Sequence, residues 1–424
     1  MGFEVPQLGV LREWSEPSDA EEREERVMLR IRVVALTLTR TRLGRLSLTV
    51  GAVALIVGAL AGCGGGSDSS STSAGADETT TEASTTADDS GSSSTEAKLA
   101  PYLQFEKTIQ VPGPLKKLPE NADVLFLECS ALPCKQEGEG LKRGAELLKL
   151  NYKALSSGAT PESFQSAAEQ AVREKPDAVL LPALQPSIIK TQLQELNEEG
   201  VVVALWATEQ PPAGSAEVFL LSPKYWENDG AAMARYVQVN GGTDANVLFV
   251  NQSVFSFGNY MGKGISQTLK AECPGCSFSE IDTLPEEVGT KIPTAVISEL
   301  QKNPSIDWVI FAYGAMDLGF PEALKAAGLE GQVNFISQSP SKNNFENLKS
   351  GSEVANLASN ETFFVYYVLD SVARALNGEP VPDREDMQTG WFITGKDVTF
   401  DPATEYWEPV PNFAAQFEET WGVK

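Results

Sequence analysis

From Asn121 onward, short runs of apolar residues alternate with amphipathic stretches of helical period, and one run, Val201 to Ala207 (VVVALWA), has lost all polar alternation. A strand reads this way when both its faces are buried, as in a parallel sheet covered by helices on each side. The region after Asn121 therefore reads as α/β, assembled from βαβ units.

The spacing predicts a strand over Ala122 to Cys129, a helix around Gly140 to Leu150 and a strand near Tyr152 to Leu155. Thr160 caps the next helix, with Pro161 at its first position, and the helix runs to Glu174. A strand at Ala178 to Leu181 follows, then a helix from Ser187 to Glu199 stopped by Gly200, the VVVALWA strand, and a short strand at Val218 to Leu221. The pattern then restarts. Helices are expected at Trp226 to Val239, Gly258 to Ala271, Thr290 to Gln301 and Met316 to Ala327, with strands at Asn246 to Asn251, Phe278 to Leu284, Trp308 to Ala312 and Val333 to Ser337. A late helix, Glu361 to Leu376, precedes a Pro-rich aromatic tail (PATEYWEPVPNF).

Before this region the composition changes twice. Leu46 to Leu60 is uncharged and apolar, Arg30, Arg32, Arg40, Arg42 and Arg45 stand on its N-terminal side, and Leu60-Ala61-Gly62-Cys63 closes it. Basic, then apolar, then small is the order of an export signal. The run falls short of the roughly 20 apolar residues of a membrane span. Leu60-Ala61-Gly62-Cys63 resembles a bacterial lipobox, which implies that Cys63 is lipidated after cleavage; the alternative is an uncleaved anchoring helix. Either places the rest of the chain outside the cytoplasm, held at the outer face of the membrane. Residues 1–27 are charged in a way that does not suit an export signal, so they read as a misassigned extension before Met28, with 28–62 as the signal peptide. Residues 63–98 comprise the lipidated cysteine and a Ser/Thr/Gly-rich linker, a composition that buries too little apolar surface to order itself.

The formal net charge is −25, and residues 1–45 carry equal numbers of acidic and basic side chains, so all of it lies downstream. Nucleic acid is excluded as a partner, because phosphate binding needs a basic face. The remaining four cysteines pair by proximity as Cys129 with Cys134 and Cys273 with Cys276, two short-loop disulfides in an oxidising compartment. A redox or metal role for Cys-Pro-Gly-Cys is the alternative. The chain has no histidine, so Ser-His-Asp, Cys-His and histidine-zinc arrangements cannot be assembled, and GNYMGKG (Gly258 to Gly264) lacks P-loop spacing. No cofactor, metal or enzymatic activity is expected.

Several segments resemble the type I periplasmic solute-binding proteins, sugar-binding branch, over roughly residues 120 to 400. They are Asn228-Asp229-Gly230, Met261-Gly262-Lys263-Gly264-Ile265, IFAYGAMDLGFPEALKAAG (Ile310 to Gly328) and the helix from Asn360 to Gly378-Glu379. The resemblance implies two doubly wound parallel-sheet lobes joined by a three-strand hinge. Lobe 1 is expected at 99–222 plus 360–385, and lobe 2 with the C-terminal tail at 223–359 plus 386–424. It also implies a small-molecule ligand held between the lobes, a membrane ABC permease as partner, and a monomer. Sensing for a membrane receptor or kinase uses the same surface and stands as the alternative function.

By the same resemblance, positions that carry charged sugar contacts are here Ala207 and Thr208 after the fourth strand, Met261, Tyr313, Ser339 and Ser359. Their neutrality points to a neutral, partly apolar ligand. Trp206 is expected to stack on it from the end of a buried strand, and Tyr313 to offer a ring and a hydroxyl. Phe255 is the expected aromatic of the 254–260 segment, with Tyr260 in reserve. Ser130, Gln136, Gln338 and Asn360 are candidate hydrogen-bonding groups, whereas Tyr225 and Trp226 suit packing against the hinge.

Overall fold

The structure is a computed structural model that describes residues 89–423 except 184, 405 and 406. The expected signal peptide, Cys63 and most of the expected linker lie outside the described residues.

The first lobe opens with β1 (Asp123–Cys129), α2 (Leu132–Leu148), β2 (Asn151–Gly158), α3 (Pro161–Glu174) and β3 (Ala178–Pro182), the label α1 belonging to an upstream helix, Asp89–Leu99. It continues through α4 (Lys190–Glu198), β4 (Val202–Trp206) and β5 (Val218–Leu220). Its sheet is wholly parallel in the order β2-β1-β3-β4-β5. Val203 to Trp206 are fully buried, which is why that strand carries no alternation. Thr160 accepts from the Ser163 amide as the N-cap of α3, with Pro161 at the first helical position.

The second lobe repeats the plan with α5 (Pro223–Gly241), β6 (Asn246–Asn251), α6 (Ser256–Glu272), β7 (Ser277–Asp282), α7 (Ile292–Lys302) and β8 (Trp308–Phe311). It is completed by α8 (Phe320–Ala326), β9 (Asn334–Gln338), α9 (Lys342–Ser350) and β10 (Ala355–Ala358). The strand order, β11-β10-β9-β8-β6-β7, is the first lobe's order read from the other edge, plus an antiparallel edge strand β11 (Trp391–Ile393). Both lobes thus have a switch point, between β1 and β3 and between β6 and β8, where a crevice opens at the strand carboxyl ends.

Three crossings join the lobes. The first runs from β5 through Leu221 into α5, whose N-cap Ser222 accepts from the Lys224 and Tyr225 amides. The second leads from β10 through Ser359 into α10 (Glu361–Leu376), capped by Asn360. The third returns by residues 384–391: Arg384 bridges Leu220, the Ser222 amide donates to the Glu385 carbonyl (2.9 Å), and the Tyr225 and Thr389 hydroxyls meet at 2.8 Å. Asp370 of α10 anchors this return, accepting from Arg384 (2.8 Å) and Arg374 (3.0 Å).

Two expected boundaries are corrected. The tail assigned to the second lobe ends in α11 (Phe413–Trp421), which packs on α10 of the first, with Tyr366 stacked on Trp421 at 5.3 Å and Tyr367 against Phe417 at 5.0 Å. These aromatics bury more apolar area on α10 than an exposed tail could. The linker expected to stay unordered through residue 98 instead ends in α1, which packs on α5. Leu99 is buried there and Lys98 pairs with Glu272 at 2.7 Å. Finally, α2 begins eight residues before its expected start, and the Met316 to Ala327 helix is a 3-10 turn followed by α8.

Candidate functional site

Between the lobes lies a cavity, part of it open to solvent. Its wall is built by residues at the strand carboxyl ends: Cys129 closing β1, Ala183 after β3, Ala207 after β4, Leu221 after β5, Tyr313 after β8, Ser339 after β9 and Ser359 after β10. Ala183, Ala207, Leu221 and Ser339 all have φ between 49° and 54°. They are half of the eight described non-glycine residues with positive φ, so backbone strain is concentrated on this wall, as at sites where the chain must turn sharply to face a ligand.

The lobe-2 side is aromatic. Trp226, Phe257 and Phe255 succeed one another at centroid distances of 5.0 and 5.9 Å, and Tyr313 meets Phe257 edge-on at 6.4 Å. Tyr313 donates its hydroxyl proton to Gln252 Oε1 at 2.8 Å. The lobe-1 and hinge side carries two carboxyls. Glu137 of α2 is 5 % exposed, and its Oε1 accepts from Trp206 Nε1 at 2.8 Å while its Oε2 has no partner. Glu361, the first residue of α10, accepts from the Ser339 and Ser359 hydroxyls, the latter at 3.0 Å. Burial pushes the Glu137 carboxyl well above its usual range, the Glu361 charge adds to this, and the Trp206 bond opposes it. Glu361 is raised by burial too, against the pull of its two serine donors. Trp226 Nε1 is a second buried group without a partner.

Of the residues expected at the site, the structure brings four onto this wall: Tyr313, Phe255, Gln338 and Ser339. The other six lie elsewhere. Trp206 is fully buried between Phe126 (6.1 Å, parallel) and Phe364 (6.0 Å), behind the wall, and reaches the cavity only through Glu137. Thr208 is buried off the cavity, Met261 is core at the crossing of α5 and α6, and Ser130 is exposed. Gln136 and Asn360 line an adjoining, larger cavity that shares Ser359 and Glu361 with the first.

Sequence reading missed Glu137 and Glu361, chose Phe255 over Phe257 within the 254–260 segment, and left Trp226 between a hinge role and a ligand contact. Glu137 was hidden because the helix was expected to begin only at Gly140, which left Glu137 in the connection after β1. A Cβ on Gly140 would lie 2.9 Å from the Thr362 Cα, so the glycine permits α2 to approach α10. That approach brings the two carboxyls to one cavity, and the wall is not free of charged groups. Both disulfides are present, Cys129–Cys134 forming part of the wall and Cys273–Cys276 closing the turn between α6 and β7.

Two doubly wound lobes with three crossings and a lined cleft at the strand carboxyl ends define a two-lobed ligand-binding protein. The family model described as periplasmic binding protein domain matches residues 134–380, and the chain belongs to that family. No curated protein sequence matches it. Among solved structures it is similar to the 5-methylthioribose transporter solute-binding protein of Thermotoga lettingae in complex with 5-methylthioribose, with a TM-score of 0.61 at 16 % identity over 72 % of this chain and 99 % of that one. An ABC transporter solute-binding protein of Agrobacterium vitis with bound allitol matches with a TM-score of 0.58 at 16 % identity, over 68 % of this chain and 99 % of that one. A periplasmic ribose ABC transporter protein of Conexibacter woesei has a TM-score of 0.57 at 17 % identity, over 70 % and 98 %.

Proposed function

We propose that this protein is an extracytoplasmic solute-binding lipoprotein of an ABC importer, capturing a small sugar-like solute with an apolar face by closure of its lobes. The observation that carries the reading is the interlobe cleft itself, aromatic on one wall and largely apolar on the other save for the carboxyls of Glu137 and Glu361, with Glu137 Oε2 and Trp226 Nε1 buried and unpartnered. Buried polar atoms cost free energy until something pairs with them, and a ligand with hydroxyls supplies the partners. Aromatic faces such as Phe257 and Trp226 suit the C–H face of a carbohydrate-like body. The ligand contacts we assign are Tyr313, Phe255, Gln338 and Ser339, joined by Trp226, Phe257, Glu137 and Glu361.

The lipobox ending at Cys63 supports anchoring at the outer face of the membrane, the Ser/Thr-rich segment after it supports a tether, and the 5-methylthioribose and allitol bound by the similar structures support the solute class. Closure would work by hinge bending at the three crossings, the closed form presenting both lobes to a permease. The test is a thermal-shift screen of sugars, polyols and thio-sugars, followed by uptake in a deletion strain. A stabilising solute that is recovered chemically unchanged and is no longer imported on deletion is the expected result. Conversion of the bound solute by the protein would overturn the proposal.

A further inference from the structure

The cleft holds two acids and, among the described residues that line it, no lysine or arginine; the chain has no histidine at all. Buried carboxyls normally answer a nearby cation or donate a proton to an acceptor. At Glu137 Oε2 neither is present among the described residues. The groups facing Glu137 and Glu361 are donors: Trp206 Nε1–H on the first, the Ser339 and Ser359 hydroxyls on the second. Glu361 also sits at the N-terminus of α10, where the helix dipole favours an anion. Donors and dipole both stabilise the ionised form, while burial and the mutual repulsion of the two charges oppose it.

The nearest arginine of the adjoining cavity, Arg143, donates to Thr362 Oγ1 at 2.6 Å and does not line the main cleft. What is missing is a positive charge beside Glu137 Oε2, the buried carboxyl oxygen with no partner. The facing wall of Trp226, Phe257 and Tyr313 is of the kind that attracts a cation through the ring quadrupoles, whereas Trp226 Nε1–H calls for an acceptor such as a hydroxyl oxygen.

Resting on the solute-binding reading above, we propose that the solute is a sugar-like body carrying a protonated amine, an amino sugar or aminated polyol, whose ammonium seats between Glu137 and Glu361 and whose hydroxyl accepts from Trp226 Nε1. The ammonium pairs the orphaned oxygen and favours the ionised carboxyls that burial opposes. A neutral sugar leaves both carboxyls without a cation.

The experiment is calorimetric titration of the full chain with isosteric pairs, D-glucosamine against D-glucose, D-galactosamine against D-galactose, and 1-amino-1-deoxysorbitol against sorbitol, with 5-methylthioribose and allitol as further neutral solutes. At least one amine is expected to bind about tenfold or more tighter than its neutral twin. Glu137→Gln and Glu361→Gln are expected each to weaken the amine at least tenfold more than they weaken its neutral twin. Neutral solutes binding as well as or better than every amine, or amine affinity that survives both substitutions, would overturn the inference while leaving the solute-binding reading intact. No saturable binding by any of these solutes to a cooperatively melting protein would overturn both.

Discussion

Asp229 is fully enclosed one turn beyond Tyr225 in α5, and its Oδ2 has no partner. Burial pushes its carboxyl up to about 8, against the opposing bond from Tyr225. The folded state therefore binds a proton that the unfolded chain releases near pH 4, so this contribution to stability is complete below about pH 4 and is lost as pH rises toward 8. Asp229→Asn removes that dependence. It is expected to flatten the fall in melting temperature between pH 5 and 8 and to stabilise the protein by on the order of 2 kcal/mol at the upper end, measured by calorimetry at each pH. Glu353, pushed up to about 7 by burial, keeps a residual slope of the same sign. Glu272 acts oppositely: its bond from Arg235 holds it down at about 2, so its contribution is lost as pH falls below the usual carboxylate range. Trp206 makes a different prediction. Trp206→Phe keeps a ring between Phe126 and Phe364 but deletes the donor to Glu137, at a cost of about 1–2 kcal/mol. Solute affinity should drop several-fold while the fold survives, separating a positioning role from a packing one. The sequence marked Trp206 as important from its place at a strand end, but the side to which its indole points depends on α2, which no local pattern reveals.

Packing of α5 on α6 rests on two glycines. A Cβ on Gly230 would lie 2.1 Å from the Met261 carbonyl oxygen, and one on Gly264 would lie 2.1 Å from that of Glu227. Both obstacles are backbone, so the helices must move apart. Gly264→Ala is expected to cost about 3 kcal/mol and to lower the melting temperature by about 6 °C or more. Gly264 was legible as a landmark of the resembling family, yet the reason for it is this close crossing. The Cys129–Cys134 bond ties the end of β1 to the first turn of α2, the helix that carries Glu137. Its closed loop is short, so replacing both cysteines by serine should cost only about 2 kcal/mol. Solute affinity should fall further than that stability loss implies, because the bond sets one edge of the cavity wall. Element types followed from the sequence wherever a strand was buried on both faces or a helix was capped, as at β4 and α3. The helix α9 and the strands β10 and β11 were not anticipated: they are short, and β11 earns its place only by antiparallel pairing with β10.

At the scale of the molecule, the third crossing ties the lobes through Ser222 with Glu385 and Asp386, and Tyr225 with Thr389, all beside the cleft. If the lobes close on a solute, small-angle scattering of the protein with its ligand should show a smaller radius of gyration than without it; an unchanged radius together with tight binding would mean that the cleft is already closed. By itself, the sequence determined the α/β class, the repetition of one plan in two lobes, the positions of the crossings near Ser222 and Ser359 and the two disulfide pairs. The class, the repetition and the cysteine pairs follow from periodicity, caps and proximity along the chain, all of which are local, whereas the crossings are what the family resemblance implies. Tertiary structure alone decided which side chains share the cleft: it turned Trp206 and Met261 into the core, brought Trp226 and Phe257 to the wall, docked the C-terminal helix on α10 and brought Glu137 and Glu361 to one cavity. Those two carboxyls are 224 positions apart in the chain, and only the close approach of α2 to α10, allowed by Gly140, puts both at one cavity.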